Sequence, residues 1–317
     1  MLSPRRRVPR RLLSVRHWPS WCAVWVIWLL ARLPYSLLIP LGRGIGQLVQ
    51  WVMPARRKVA ATNLRLCFPE MAPDERARLL RTNMINVGIM LMEFALGWLG
   101  SRRSLEHVPV DIQGLGYLED ARRRGVGVLL VGAHFTHLEL CGRLLSMRVP
   151  LAGMYRAMDN EVLEFVILRA RLRYAAAMFT KDDLLGTVRY LRRGGILWYA
   201  PDQDMRGKEA VFAPFFGVLA ATITATHHLA RLSGAEVMPF AHRRLPHGGY
   251  EIRILPPFDD FPSSDAGADT QRVNGAIETM VAAAPEQYLW IHKRFKTRPA
   301  GAREVYGVGV ESRRPIR

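Results

Sequence analysis

The chain has 317 residues, half of them apolar, so it can bury a sizeable core in one large domain or two small ones. Its three cysteines, Cys22, Cys67 and Cys141, lie far apart beside apolar residues. That pattern excludes a disulfide framework and a cysteine-type metal spacing, and it fits a reducing compartment. The formal charge of +18 comes almost entirely from arginine, with lysine only at 58, 181, 208, 293 and 296. Read as function rather than genome composition, so much arginine points to phosphate or carboxylate partners, which its planar fork binds bidentately. Nucleic acid, anionic lipid and an acidic carrier protein all remain open on charge alone.

In chain order, residues 1–17 form a basic tail carrying Arg5, Arg6, Arg7, Arg10, Arg11 and Arg16 and no acid. An apolar run, Trp21–Ala31, follows; Arg32, Pro34 and Pro40 interrupt before apolar character resumes through Leu41. A full span needs about 20 apolar residues, so residues 18–45 read as a short membrane anchor, crossing the bilayer or lying in one leaflet. A secretory signal fits less well, because the run is tryptophan-rich and no small-residue cleavage site follows. The positive-inside rule keeps the basic end in the cytoplasm, and Trp18, Trp21, Trp25, Trp28 and Trp51 suit the interface. A second basic cluster, Arg56, Arg57 and Lys58, suits anionic headgroups. Pro73-Asp74-Glu75 opens a helix to about Gly97 whose apolar far end reads as a buried core helix.

From residue 110 strands and helices alternate as βαβ units. The predicted strands are 126–131, 151–155, 196–199, 235–241 and 250–255. The predicted helices are 137–147, 160–173, 182–193, 221–232 and 270–284. Residues 256–269 read as a surface loop and 307–317 as a disordered tail. The fold class is therefore α/β, a mixed, mostly parallel sheet flanked by helices, behind an N-terminal anchor helix.

The chemistry concentrates where the strand 126–131 meets Gly132 and His134, with Glu139 five positions on. Ligands of open α/β sheets bind at the carboxyl ends of strands. Neutral imidazole, with an unperturbed pKa of about 6.5, can accept a proton at pH 7. Glu139 would fix its tautomer, as the acid does in a Ser-His-Asp triad. No nucleophile-elbow serine or cysteine is present, so the activated hydroxyl belongs to a substrate. Two other readings stand beside this one. Thr136 and Glu139 can form a capping box. His134, His137 and Glu139 can be read as metal ligands, although the order is not that of the zinc proteases and nothing completes the set.

Gly-Ala-His-Phe-Thr-His-Leu-Glu-Leu (132–140) resembles the His-x4-Asp/Glu motif of glycerolipid and lipid A acyltransferases. The closing segment Pro285–Pro299 resembles the C-terminal signature of the late lipid A acyltransferases. Met154-Tyr155-Arg156, Pro201–Asp204, Phe212–Gly217 and Asn63–Pro69 match further blocks in order. The resemblance covers about residues 17–299. It implies an acyltransferase domain over 46–306 that moves a lauroyl or similar chain from acyl carrier protein to a 3-hydroxyacyl chain of a Kdo-bearing lipid A precursor. It also implies the bacterial inner membrane, a cytoplasmic-facing catalytic domain, no cofactor or metal, and no nucleic-acid partner. A glycerol phosphate lipid or other glycolipid is the alternative acceptor.

By the same resemblance His134 and Glu139 form a catalytic dyad, and Arg171 and Asp202 join the catalytic set. Arg171 would steady an oxyanion or phosphate, with Asp202 orienting it. Arg156, Arg169, Asp204, Lys293 and Arg294 are the expected substrate contacts. Ala157, Asp159 and Lys293 depart from the family pattern, which bears on substrate detail rather than on the reaction.

Overall fold

The computed structural model describes residues 8–205, 207 and 209–307. Arg5, Arg6 and Arg7 of the basic tail and residues 308–317 of the expected disordered tail lie outside the described residues. The helices are α1 (Trp18–Leu30), α2 (Tyr35–Val52), α3 (Pro54–Cys67), α4 (Pro73–Leu99), α5 (Arg102–Glu106), α6 (Leu115–Arg123), α7 (Leu138–Ser146), α8 (Glu161–Arg171), α9 (Leu184–Arg192), α10 (Ala225–Ser233) and α11 (Ala266–Ala283). The strands are β1 (Val110–Gln113), β2 (Val128–Val131), β3 (Leu151–Tyr155), β4 (Met178–Thr180), β5 (Ile196–Tyr199), β6 (Ala210–Phe215), β7 (Val218–Ile223), β8 (Glu236–Arg244) and β9 (Tyr250–Ile254).

Seven strands form one sheet in the order β1-β9-β8-β2-β5-β3-β4. Every neighbouring pair is parallel except the hairpin β8–β9. Strand β2 sits centrally and is buried on both faces, which its continuous Val-Leu-Leu-Val run requires. Its alternating side chains feed two cores. Leu129 and Val131 pack with Leu197, Tyr199 and Val237 toward α3 and α9–α11. Val128 and Leu130 pack with Ile196, Met238 and Phe240 toward α6, α7 and the end of α4. The fold class read from the sequence is the one observed.

Helix α4 is the helix long and apolar enough to cross a membrane among the described residues, and 61% of its apolar window is buried. It is a core helix, clamped between α2 and α7. Gly46 and Gly88 let α2 and α4 touch backbone to backbone; a Cβ on Gly88 would meet the Gly46 nitrogen at 2.2 Å. The expected boundary at residue 45 therefore has no counterpart here, because α2 runs through it and packs on the domain. Helix α1, with 13 residues, extends about 20 Å against a hydrocarbon core of about 30 Å.

Four strands escaped the sequence reading. β1 and β4 are too short, at four and three residues, to establish a period. The antiparallel hairpin β6–β7 pairs Ala210 with Ile223 through Phe215 with Val218. Its second strand overlaps the expected helix 221–232, which begins instead at Ala225.

Candidate active site

His134 lies in the turn between β2 and α7, at the carboxyl end of the central strand. That turn is held by the C-terminal segment. Phe135 bridges Tyr288, the Thr136 N–H donates to the Gln287 carbonyl at 2.8 Å, and the Leu289 N–H donates to the His134 carbonyl at 2.9 Å. Asparagines fasten the segment in turn. Asn83 Nδ2 donates to the Glu286 and Tyr288 carbonyls, and Asn63 Nδ2 to those of Trp290 and His292. The blocks at 63–69 and 285–299 thus meet in space as one clamp on the histidine turn.

Asp202, just past β5, takes both donors of His134. Its Oδ2 accepts the backbone N–H at 2.9 Å, and its Oδ1 sits 2.6 Å from Nδ1. A carboxylate only accepts, so Nδ1 carries the proton and Nε2 keeps its lone pair. The Tyr288 hydroxyl donates to Oδ2 at 2.9 Å. Burial alone would raise the Asp202 pKa, but the charge and hydrogen bonds of His134, with Tyr288, hold it down at about 2. On His134 burial works against the cation, yet Asp202 and then Glu139 outweigh it and leave the imidazole more basic than usual. The ring stands edge-on to Trp198, centroids 6.3 Å apart.

The expected contact between His134 and Glu139 is not formed. Glu139, in the first turn of α7, points across to α8 and binds Arg171 in fork geometry, through Nε at 3.3 Å and through Nη2. Arg171 was expected to be oriented by Asp202; Glu139 orients it instead. The exchange follows from position: Asp202 shares the His134 end of the β2–β5 pair, whereas Glu139 lies one turn into a helix facing α8. The capping box is also absent. His137, not Thr136, precedes the helix, and the Thr136 hydroxyl is buried without a partner among the described residues.

Glu139, Arg171 and Trp198 border a narrow, mainly apolar cavity that runs between α7, β3 and α8 past Gly142, Gly153 and Met178. A Cβ on Gly142 would meet nothing within 4 Å.

The expected substrate contacts divide. Arg156 is exposed and, among the described residues, forms an ion pair with Asp159 at 3.6 Å. Arg169 is partly buried on α8, with Nε lacking a partner among the described residues. Lys293 is partly buried and makes no ion pair among the described residues. Arg294 is the clear correction: it is buried, donating to the Ala221 carbonyl at 2.8 Å and to Thr222 Oγ1 at 2.6 Å, so it braces β7. Asp204 likewise accepts the Thr297 N–H and hydroxyl, both at 2.9 Å, and is engaged in holding the C-terminal segment. Its own N–H donates to His292 Nε2 at 3.2 Å, and burial keeps that imidazole neutral, its pKa lowered to about 4. Tyr288 and Asn83 were missed as site residues; Tyr288 stands inside the closing signature, while nothing marks Asn83 within its helix.

The ligand set His134, His137 and Glu139 is not assembled, because His134 turns to Asp202 and Glu139 to Arg171. His137 instead lies in the core beside Cys141 and His242, with ligand atoms within 4.8 Å of one another. A tetrahedral zinc site has ligand separations of about 3.3–3.7 Å from its bond lengths. Phe135, Phe240 and Tyr250 crowd the two imidazoles, and burial keeps both neutral.

The site is therefore a positioned base at the carboxyl edge of an α/β sheet, beside an apolar cavity and a fixed guanidinium. A family model described as bacterial lipid A biosynthesis acyltransferase matches residues 7–297, and the chain belongs to that family. It is an acyltransferase of lipid A biosynthesis. The lipid A biosynthesis lauroyltransferase of Escherichia coli K12 is 40% identical over 93% of this chain and 97% of its own length. The lipid A biosynthesis palmitoleoyltransferase of the same strain is 37% identical over 96% of this chain and 99% of its own. Among solved structures, the 1-acyl-sn-glycerophosphate acyltransferase PlsC of Thermotoga maritima aligns at a TM-score of 0.41 with 15% identity, over 72% of this chain and 98% of that one.

Proposed function

We propose that the enzyme transfers a lauroyl or similar chain from acyl carrier protein to the 3-hydroxyl of an acyl chain on a Kdo-bearing lipid A precursor. The observation that carries the mechanism is the pairing of His134 Nδ1 with Asp202, which commits Nε2 to proton acceptance. Nε2 takes the acceptor hydroxyl proton as the oxygen attacks the thioester carbonyl. The carbon–sulfur bond of the tetrahedral intermediate then breaks, and the departing sulfur recovers the proton from the imidazolium. The products are an acyloxyacyl ester and free carrier thiol. Asp202 steadies the imidazolium. Glu139 works through Arg171, whose guanidinium is available to the developing oxyanion or to the thioester carbonyl. The cavity past Gly142 and Gly153 takes the acyl chain.

The enzyme works at the inner membrane with this site on the cytoplasmic side. Exposed Trp18, Trp25, Trp28 and Trp51, with Leu37, Leu41 and Leu48, give α1 and α2 a face suited to the bilayer interface. The acidic carrier is drawn by the net charge of +18.

The test is acyl transfer by detergent-held protein, offering a set of carrier thioesters and the Kdo-bearing precursor, with His134→Ala and Glu139→Ala compared against wild type. Loss of transfer in folded His134→Ala, with a clear thioester preference in the wild type, is expected. Wild-type rates in that variant would sink the mechanism, and transfer only to glycerol phosphate lipids would replace the acceptor.

A further inference from the structure

At the same end of the sheet as His134, three strands away, the chain builds a second opening. The β8–β9 hairpin, the residues before β1, α5 and the start of α2 enclose a cleft of about 800 Å³. The hairpin tip at Arg244 and Tyr250 stands beyond Pro239, the partner of Val131, so the cleft lies past the end of β2 and three strands to the side.

The cleft is built rather than incidental. The hairpin tip is fixed where the Gly249 N–H donates to the Tyr35 hydroxyl at 3.2 Å, and Tyr35 packs on Tyr250. Gly249 holds a φ of 80° hard against Pro109; a Cβ there would meet the Pro109 carbonyl oxygen at 2.6 Å. Leu33 and Ile39 leave part of the wall apolar.

Its charge is one-sided. Arg32, Arg43, Arg103, His107 and His247 line it, and no Asp or Glu does. Elsewhere on the surface arginines find carboxylates, as Arg102 does with Glu106 and Arg124 with Glu236. Arg32, Arg43 and Arg103 have no carboxylate within 4.0 Å among the described residues. Arg32 instead lies over the ring of Trp28, 4.6 Å from its centroid. The His107 ring lies 2.6 Å from the Arg103 carbonyl, which only accepts; Nδ1 therefore donates and Nε2 is left for a ligand. Three guanidiniums without a carboxylate partner among the described residues, lining one concave surface, suit a multivalent oxyanion, and phosphate matches their fork geometry.

The cleft also connects to the catalytic turn. It shares Arg43 and Pro246 with a smaller groove lined by Asn86, Glu286 and Gln287. The Gln287 carbonyl accepts the Thr136 N–H within the His134 turn. Exposed Trp28, Leu37 and Leu41 on α1 and α2 give an amphiphile apolar surface on the same two helices that supply Arg32's neighbour and Arg43.

We propose that this cleft binds a phosphate on the sugar headgroup of the acyl acceptor, fixing the headgroup while one acyl chain presents its hydroxyl to His134. The inference rests on the reading of the acceptor as a phosphorylated glycolipid. A membrane-borne acceptor is favoured over the acidic carrier because the cleft is concave, partly apolar and beside the interfacial face of α1 and α2.

The test uses the full chain in detergent and the variant Arg32→Gln/Arg43→Gln/Arg103→Gln, none of which belongs to the catalytic set. Transfer is measured with the phosphorylated acceptor and with the same acceptor after phosphatase treatment. Wild type should prefer the phosphorylated form by about 10-fold or more in kcat/KM, the scale of a charge-assisted contact. The variant should lose that preference through KM, with kcat at saturation unchanged. A preference that persists, or a rise in KM for the carrier thioester instead, overturns the proposal. Weakened association with phosphatidylglycerol vesicles but intact acceptor preference also overturns it, making the arginines a general headgroup anchor. Dodecyl phosphate binding, compared with an uncharged dodecyl glycoside, is read without any transfer. Weaker phosphate binding by the variant supports the site even if wild type acylates nothing, and equal binding removes it.

Discussion

His134 and His227 each hold an aspartate through Nδ1, at 2.6 and 2.7 Å. The His134 side chain is 26% exposed at the rim of the sheet, whereas His227 is 4% exposed and ties α10 to Asp269 of α11. A similar contrast holds for two forked arginine–glutamate pairs. Glu139–Arg171 borders a cavity beside the base; Glu93–Arg244 is buried, with the Tyr250 hydroxyl donating to Glu93 at 2.5 Å and Arg244 reaching Asn86. The same side-chain chemistry thus stands open at the carboxyl edge of the parallel strands in one place and closed in the core in another. Access separates the two, and the pairing itself does not.

The sharpest attempt to break this contrast is His134→Ala beside His227→Ala. The first should lower kcat about 10⁴-fold, the upper range for a positioned base, and should also lower Tm, because buried Asp202 loses a partner. The second should lower stability by about 3 kcal/mol, because Asp269 loses a buried partner, while activity per folded molecule persists. Matched losses of activity would erase the distinction.

Next comes the glutamate pair. Glu93→Ala strands Arg244 in the core and should cost about 3–5 kcal/mol in denaturant unfolding. Glu139→Ala should leave Cm near wild type and lower kcat, since Arg171 is freed at a cavity wall. Asp202→Asn should cost at least about 10² in kcat. It also moves the pH profile. Burial disfavours the His134 imidazolium, but Asp202 and then Glu139 raise its pKa above 6.5 overall. Wild-type kcat/KM therefore falls as pH drops through that raised value, and removing the Asp202 charge should shift this acid limb to lower pH. A limb that stays in place would remove Asp202 from the role. The smallest change is Gly142→Leu, which projects into the open cavity. It should move thioester preference toward shorter chains by about 10-fold, the lower end for one excluded methylene.

Much of this arrangement is legible without coordinates. Val126–Val131 reads as a buried strand from its short apolar run, and His134 announces itself by following Gly132. The partner of His134 does not, because Asp202 is 68 positions away and only the parallel β2–β5 pairing makes them neighbours. Glu139 was nearer in sequence and misleading for that reason. Arg294 read as a surface contact inside a basic run, yet its neighbours Trp290 and Phe295 are buried and draw it under β7. The strand β7 hid in Ala-Ala-Thr-Ile-Thr, which looks helical until the turn at Phe216 and Gly217, with φ of 49° and 74°, folds it back on β6.

The clamp formed by residues 285–292 also has a consequence for how the enzyme is born. Translation delivers α1 and α2 first and the strap that secures the histidine turn last. The sheet can therefore be largely laid down while the turn that carries His134 still lacks the strap that fastens it.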